Sequence, residues 1–329
     1  MNVKLYKYHD CDLSNYSFLI SGGAGFIGSN IVDYLVFHKA GKIRILDNLS
    51  TGSLDNLKSV LNLPNVEFIK GDIRDFDTCV AVVQGVDFVS HQAALGSVPR
   101  SISDPITTND VNINGFLNIL TAAKDAKIER MVYAASSSTY GDSQKLPKQE
   151  DLIGNALSPY AVTKYVNELY AKVYSSVYGF HTVGLRYFNV FGPRQNPNGQ
   201  YAAVIPLFIS SIINSESPVI NGDGSNTRDF TFVSNVVQAN IKAMFSDNIE
   251  EHIVVNIAFG GQTSLLELVQ AINKNLDTQI EPVFRSPRLG DVKHSFADIT
   301  KAKNVIQYEP EISFEQGIRQ TISYFSERI

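Results

Sequence analysis

Cysteine is scarce in this chain: 329 residues hold two, Cys11 and Cys79, far apart and outside any C-x-x-C pattern. That disfavours both a disulfide framework and a cysteine-ligated zinc site, and no metal is expected. Long apolar runs are missing too. None approaches the roughly 18 residues that a membrane helix needs, so no membrane partner is expected. Positive charge is not in excess, with 28 Lys and Arg against 33 Asp and Glu and a net charge of −5. Nothing therefore favours a nucleic-acid partner. Residues 1–16 are polar and lack the apolar core of a signal peptide, and there is no internal repeat or low-complexity tract. The expectation is a soluble, reduced, cytoplasmic protein. What is present is ordinary globular composition, 44% hydrophobic and 19% charged, enough for one large α/β unit or two smaller ones.

Short apolar runs alternate with helix-spaced segments through the first half. Runs at 18–20, 43–46, 66–69, 88–91, 131–135 and 182–186 read as strands, and 26–37, 54–61, 76–83, 105–126 and 160–178 as helices. Such alternation implies a parallel sheet covered on both faces, and right-handed crossovers make it a doubly wound α/β sheet of the Rossmann type. From about Asn189 the rhythm breaks. Pro193, Pro197 and Pro206 arrive with Gly192 and Gly199 and read as loop, and Asn221 to Gly224 as a turn cluster. Helices are expected at 233–245, 265–275 and 314–325, the second capped by Thr263 or Ser264 with Glu267 placed for a capping box. Residues 1–188 are thus expected to form a cofactor domain and 189–329 a smaller α/β substrate domain. A segment near 230–258 is a candidate to rejoin the sheet.

The first strand runs into Ser21-Gly22-Gly23-Ala24-Gly25-Phe26-Ile27-Gly28, with glycines in the pattern G-x-x-G-x-x-G. Glycine tolerates positive φ, and its bare backbone lets a pyrophosphate approach the first N–H groups of the helix that opens at Phe26 and Ile27. The helix dipole favours an anion there. Asp47 ends the second strand about twenty residues on, where a carboxylate accepts from both adenosine ribose hydroxyls and repels a 2′-phosphate. NAD is therefore expected rather than NADP. Asn48, Ser50, Thr51 and Gly52 add polar groups at the same edge. Asp72 and Ile73 follow the third strand, with Asp72 in reach of the adenine amino group. Gln92, Ala93 and Ala94 follow the fourth, beside the pyrophosphate and nicotinamide ribose. His91, at a strand end, reads as structural.

Tyr160 and Lys164 stand at i and i+4 behind Pro159, a favourable first-turn residue, and share one helical face. A phenol with a pKa near 10 is too weak a base at neutral pH. A lysine charge and a positive nicotinamide ring both favour the phenolate, and bringing it to neutrality takes about 4 kcal/mol. The pair alone reads first as a solvated helix face. Ser136, Ser137 and Ser138 decide the matter, because they follow a strand, and ligands in such sheets sit beyond the strands' carboxyl ends. A hydroxyl there can bond a substrate hydroxyl and pass its proton to the tyrosine.

Together, Gly22-x-x-Gly25-x-x-Gly28, Asp47, Gly71-Asp72, the serine triplet and Tyr160-x-x-x-Lys164 resemble the extended short-chain dehydrogenase/reductase family. The stretches from Arg186 to Arg194 and from Arg228 to Val233 look like its substrate-domain motifs. Those from His91 to Ser101, from Tyr140 to Asp142 and from Leu157 to Tyr165 look closest to UDP-N-acetylhexosamine 4-epimerases of surface polysaccharide pathways. The likeness runs from about residue 17 to about residue 300. It implies a resident NAD, and cofactor contacts from Lys164, Tyr187 and Val190 as well as the loop residues above. Tyr160, assisted by Ser136 or Ser137, would take the proton from the sugar 4-hydroxyl while hydride passes from C4 to the nicotinamide. The 4-keto sugar would then turn over and recover the hydride on its other face.

The resemblance also implies nucleotide-sugar anchors. Arg228 suits a pyrophosphate by charge and fork geometry. Arg288 and Asp291 resemble groups holding the phosphates and uridine ribose, and Asn189 one near the sugar. The segment from Tyr201 to Pro206, with Ala203 and Val204, resembles the uracil-binding stretch. Ser295 matches a position that a bulky residue closes in some hexose epimerases, so the small serine leaves room for a 2-acetamido group beside Gly96 and Ser97. Ser136, Ser137, Ser138 and Tyr160 complete the sugar contacts. UDP-GlcNAc and UDP-GalNAc are the expected substrates, and a homodimer through 105–126 and 160–178 the expected assembly. A 4,6-dehydratase is disfavoured, because the loop offers Ser137 and Ser138 where that reaction needs an acid and a base. A UDP-glucuronate 4-epimerase or decarboxylase stays open, and a catalytically silent NAD-binding protein would have no need of Tyr160 and Lys164.

Overall fold

The computed structural model describes residues 6–197, 202–286 and 293–328. Six strands fall on the expected runs: β1 (Ser17–Ser21), β2 (Lys42–Asp47), β3 (Val66–Lys70), β4 (Phe88–His91), β5 (Arg130–Ser136) and β6 (Thr182–Tyr187). A seventh, Ile253–Ile257, pairs in parallel with β6. The sheet runs Ile253–Ile257, β6, β5, β4, β1, β2, β3, all parallel. Strand order reverses between β1 and β4, and this reversal opens a crevice at the strands' carboxyl ends.

Both faces are buried, which is why the strands read as continuous apolar runs. Phe18, Ile20, Ile43 and Ile45 pack one side with Ile31 and Leu35 of helix α1 (Phe26–Phe37) and with Val236 and Met244 of helix Val233–Phe245. Leu19, Leu46, Val89 and Met131 pack the other with Phe116, Ile119 and Leu120 of helix Gly115–Asp125. A separate core of Phe191, Phe208, Ile209, Leu268 and Ile318 binds helices Val204–Ile213, Leu265–Leu276 and Phe314–Ser326 to one another. Ser264 opens the second of these with a full capping box to Glu267. No helix among the described residues is long and apolar enough to cross a membrane.

Two expected helices differ. Within 54–61 only a 3-10 turn, Leu54–Leu57, forms. The Ser53 N–H and the Asn56 side chain both donate to the Ala24 carbonyl, which draws this segment onto the glycine loop. The stretch 105–126 breaks into Pro105–Asn109, a π turn at Asp110–Asn114, and Gly115–Asp125. At the π turn the Asn112 side chain reaches back to the Leu95 main chain, at 2.8 Å to N and 3.2 Å to O.

Candidate active site

The crevice begins at the glycine loop. Gly22 has φ +70°, and a Cβ there would lie 2.6 Å from the Ala93 nitrogen, while a Cβ on Gly28 would run into the Gly22 carbonyl. The loop therefore packs only as glycine. Among the described residues no side chain caps α1 at Gly25, so its first N–H groups are available to an anion. Gly22, Gly25, Phe26, Ile27 and Gly28 line a cavity of about 310 Å³ with Asp47, Asn48, Ser50, Thr51, Ile73, Gln92, Ala93, Ala94 and Gly96. That volume is at the lower end for a small-molecule cleft, roughly 300–1,000 Å³.

Asp47 is fixed by two main-chain donors, Ala24 N to Oδ2 at 3.0 Å and Leu49 N to Oδ1 at 2.8 Å. Each oxygen keeps a further acceptor position for a ribose hydroxyl. Gly52 lets the next segment close on it, since an added Cβ would stand 3.0 Å from Oδ2. Asp72 departs from expectation. Oδ1 takes the Arg74 N–H and Nε, and Oδ2 takes Arg74 Nη2 and Asn48 Nδ2. The Arg74 fork holds this carboxyl well below the usual range, and with four donors in place it has no lone pair left for an adenine amino group. Asp72 instead anchors Asn48, which lines the cleft.

Deeper in, Gln92 donates from Nε2 to Ser90 Oγ and Asn240 Oδ1, each at 3.0 Å, and accepts from the Tyr187 hydroxyl at 3.1 Å. Asn240 Nδ2 donates to the Tyr187 hydroxyl at 2.8 Å, so a helix of the later chain fixes both cleft-end residues. Val190 begins a two-residue strand paired with Thr231. His91 is buried with Nδ1 2.7 Å from Ser21 Oγ, and burial pushes its imidazole down to about 3. It is neutral and structural.

Ser136 ends β5 and caps the following 3-10 turn, accepting at Oγ from Ser138 N at 3.1 Å and Ser138 Oγ at 2.9 Å. Ser136 also counters part of the effect of burial on the Tyr160 hydroxyl. Tyr160 lies in the first turn of helix Pro159–Tyr178, which Ser158 caps by accepting from Ala161 N. One turn on, Lys164 is buried, 3% exposed, and donates from Nζ to the Ala134 carbonyl at 2.8 Å. The structure thus brings the serine turn, the tyrosine and the lysine together where helix Pro159–Tyr178 packs on β5 and the turn after it, and Ser136 is the serine that acts on the phenol's acidity.

The expected acidification of the phenol is not supplied by the lysine alone. Burial pushes Tyr160 above its ordinary value, and Ser136 offsets only part of that. Lys164 Nζ is 6.0 Å from the ring centroid and engaged on a carbonyl. Burial lowers its ammonium to about 8, with the Glu168 carboxylate opposing. The chain alone aligns the phenol without ionising it.

The substrate candidates meet on one short strand, Thr227–Arg228. Arg228 Nη1 donates to the Thr227 carbonyl at 2.9 Å, Ser295 N donates to the same carbonyl at 3.1 Å, and Asn189 Nδ2 reaches the Asp229 carbonyl at 3.3 Å. Ser97 caps helix Val98–Ser103 through Arg100 N at 3.2 Å, and Ala203 stands at the start of Val204–Ile213. Tyr201, Arg288 and Asp291 lie outside the described residues.

Asn112 was not singled out by the sequence. Beyond Leu95, its Nδ2 donates at 3.1 Å to Thr163 Oγ1, between Tyr160 and Lys164, tying the cleft loop to the tyrosine helix. An asparagine inside an otherwise amphipathic helix, three residues before Gly115, is the signal that marks it.

The profile of the NAD dependent epimerase/dehydratase family matches residues 18–258. A putative UDP-glucose 4-epimerase of Methanocaldococcus jannaschii is 40% identical over 93% of this chain and 97% of its own. The solved UDP-N-acetylglucosamine 4-epimerase of Methanobrevibacter ruminantium M1, in complex with UDP-N-acetylmuramic acid, is 40% identical with a TM-score of 0.91, covering 95% of this chain and 99% of that one. The UDP-glucuronic acid 4-epimerase of Bacillus cereus, in complex with UDP-glucuronic acid and NAD, is 29% identical with a TM-score of 0.88, covering 95% and 100%.

Proposed function

The chain belongs to the NAD-dependent epimerase/dehydratase family, and on that premise we propose that it interconverts UDP-GlcNAc and UDP-GalNAc by inverting C4 through a 4-keto sugar, supplying surface polysaccharide precursors. It is an extended short-chain dehydrogenase/reductase that uses NAD, and UDP-sugar 4-epimerases matched over nearly their whole length support the reaction class. The observation that carries the reading is the packing of helix Pro159–Tyr178 on β5 and the Ser137–Tyr140 turn, which sets Tyr160 beside Ser136 and one helical turn from buried Lys164, next to a glycine-lined cleft.

The residues present fit the dinucleotide. The bare glycine cradle and uncapped start of α1 suit its pyrophosphate, with Phe26 and Ile27 offering N–H groups, and Asp47 suits the adenosine ribose. When bound, the nicotinamide supplies reversible hydride acceptance and a positive charge. Tyr160 then takes the proton from the 4-hydroxyl and returns it after the sugar has turned. Ser136 holds the hydroxyl and the phenol in one line, and Lys164 holds the nicotinamide ribose. Incubation with UDP-GlcNAc and NMR detection of UDP-GalNAc tests the reaction, and an unchanged substrate would overturn it.

Room at the sugar's 2-position supports the N-acetylated pair. Ser295 is small, and nothing lies within 4 Å of a Cβ added to Gly96. Ser295→Tyr should lower kcat/KM on UDP-GlcNAc by about tenfold or more relative to UDP-glucose, the scale of steric discrimination in a pocket. UDP-glucuronate belongs in the same comparison. Equal effects on both sugars would remove Ser295 from specificity.

A homodimer is proposed on helix Pro159–Tyr178, which leaves Val162, Leu169, Val173 and Val177 exposed near Ile106, 82% exposed on the adjoining helix. Apolar residues clustered on one helical face mark a contact surface. Sedimentation should give twice the 36.3 kDa chain mass, reduced to one chain by Val173→Glu. A wild-type monomer would sink the assignment.

A further inference from the structure

Asp229 is fully buried, makes no ion pair among the described residues, and has no part in the mechanism above. A lone buried carboxylate is costly unless donors surround it. Here they do, and they come from separate segments. Oδ1 accepts from Phe259 N at 3.1 Å and Gly260 N at 3.2 Å, just past the edge strand Ile253–Ile257. Oδ2 accepts from Ala297 N at 3.2 Å. Burial still dominates and holds the carboxyl up near 6, against these main-chain bonds. The main chain on either side is equally engaged. The Asp229 carbonyl receives Asn189 Nδ2, and Thr227 receives Ser295 N at its carbonyl while its own N–H goes to Lys293.

We propose that Asp229 is a positioning residue for nucleotide-sugar binding: its carboxylate draws the 259–260 turn and the 293–297 segment onto one strand, so that Asn189, Arg228 and Ser295 meet the same ligand. The inference rests on the reading of those three residues as substrate contacts. Charge-assisted bonds to main-chain N–H groups are roughly twice as strong as neutral ones. An amide at the same place turns an NH₂ toward at least one of these donors, and the segments part. None of the three donors to Asp229 comes from the glycine loop that forms the pyrophosphate cradle.

The test is calorimetric titration of the NAD-loaded enzyme with UDP, alongside steady-state kinetics and NAD content. Asp229→Asn should weaken UDP binding and raise the sugar-nucleotide KM about tenfold, with kcat within about threefold and NAD retained, the signature of lost substrate binding. Asp229→Glu keeps the charge but displaces it, and should fall between. If Asp229→Asn fails to fold, the glutamate variant alone carries the test. Unchanged UDP affinity in a folded variant overturns the proposal, as does a parallel loss of UDP and NAD, which marks general destabilisation. Wild-type enzyme that binds no UDP overturns the functional reading and this proposal with it.

Discussion

Tyr160→Phe should lower kcat on UDP-GlcNAc by about 10²- to 10⁴-fold, the usual contribution of a positioned acid–base group, while the purified protein keeps its NAD. The substitution removes one oxygen and little else. Helix Pro159–Tyr178 starts from the Ser158 cap and Pro159, not from the phenol. Ser136 Oγ retains both donors from Ser138. Activity and fold therefore separate cleanly: a melting temperature near wild type with lost turnover is the expected pair of results. A rate within about threefold of wild type would put the base elsewhere.

The pH profile carries the finer argument. Burial keeps the phenol of the protein alone above its ordinary value, so it is protonated near neutrality until added positive charge lowers it. Lys164 is charged below about 8 and loses that charge above it. In the loaded wild type kcat/KM should rise from the acid side as the phenol ionises, then turn down above about 8 as the ammonium deprotonates. The two limbs belong to the coupled pair rather than to either group alone. Tyr160→Phe should abolish the acid limb of whatever rate remains.

Much of this site was legible because its signals are local. A glycine turn, an acid at the end of the next strand and a tyrosine–lysine spacing all lie within single elements. The six strands were legible because burial on both faces leaves unbroken apolar runs. What escaped depends on distant partners. Pro206 reads as a loop residue in the sequence, yet it sits in the first turn of helix Val204–Ile213, where its missing N–H costs no hydrogen bond. A return to the sheet was legible near 230–258, but the bounds of the edge strand Ile253–Ile257 declare themselves only by its pairing with β6. Asp72 stood where an adenine contact was expected, but Arg74 two residues on takes its carboxylate. The basicity of Tyr160 turned on burial, which a spacing cannot show.

Glu168→Ala should cost about 3–5 kcal/mol, because it strands a buried arginine. Arg186 grips Glu168 with two parallel bonds, Nε to Oε1 at 2.9 Å and Nη2 to Oε2 at 2.7 Å, both side chains being less than a tenth exposed. Its remaining arm donates to the Glu150 carbonyl at 2.8 Å, and its plane lies over the Tyr140 ring. The pair pins the tyrosine helix to β6, and a loss of that size is a large share of a domain's roughly 5–15 kcal/mol. Denaturant midpoints measure it; an unchanged midpoint would mean the arginine finds another anion. Glu168 has a second effect, since its carboxylate also supports the Lys164 ammonium. Without it the lysine's value falls further below 8, and the alkaline limb of the pH profile should move to lower pH. Replacing both partners by apolar residues, Glu168→Leu with Arg186→Met, removes the stranded charge and should recover much of the stability. It leaves Lys164 equally unsupported, so the shifted limb should persist in a protein that melts nearly normally, which separates the carboxylate's electrostatic role from its structural one.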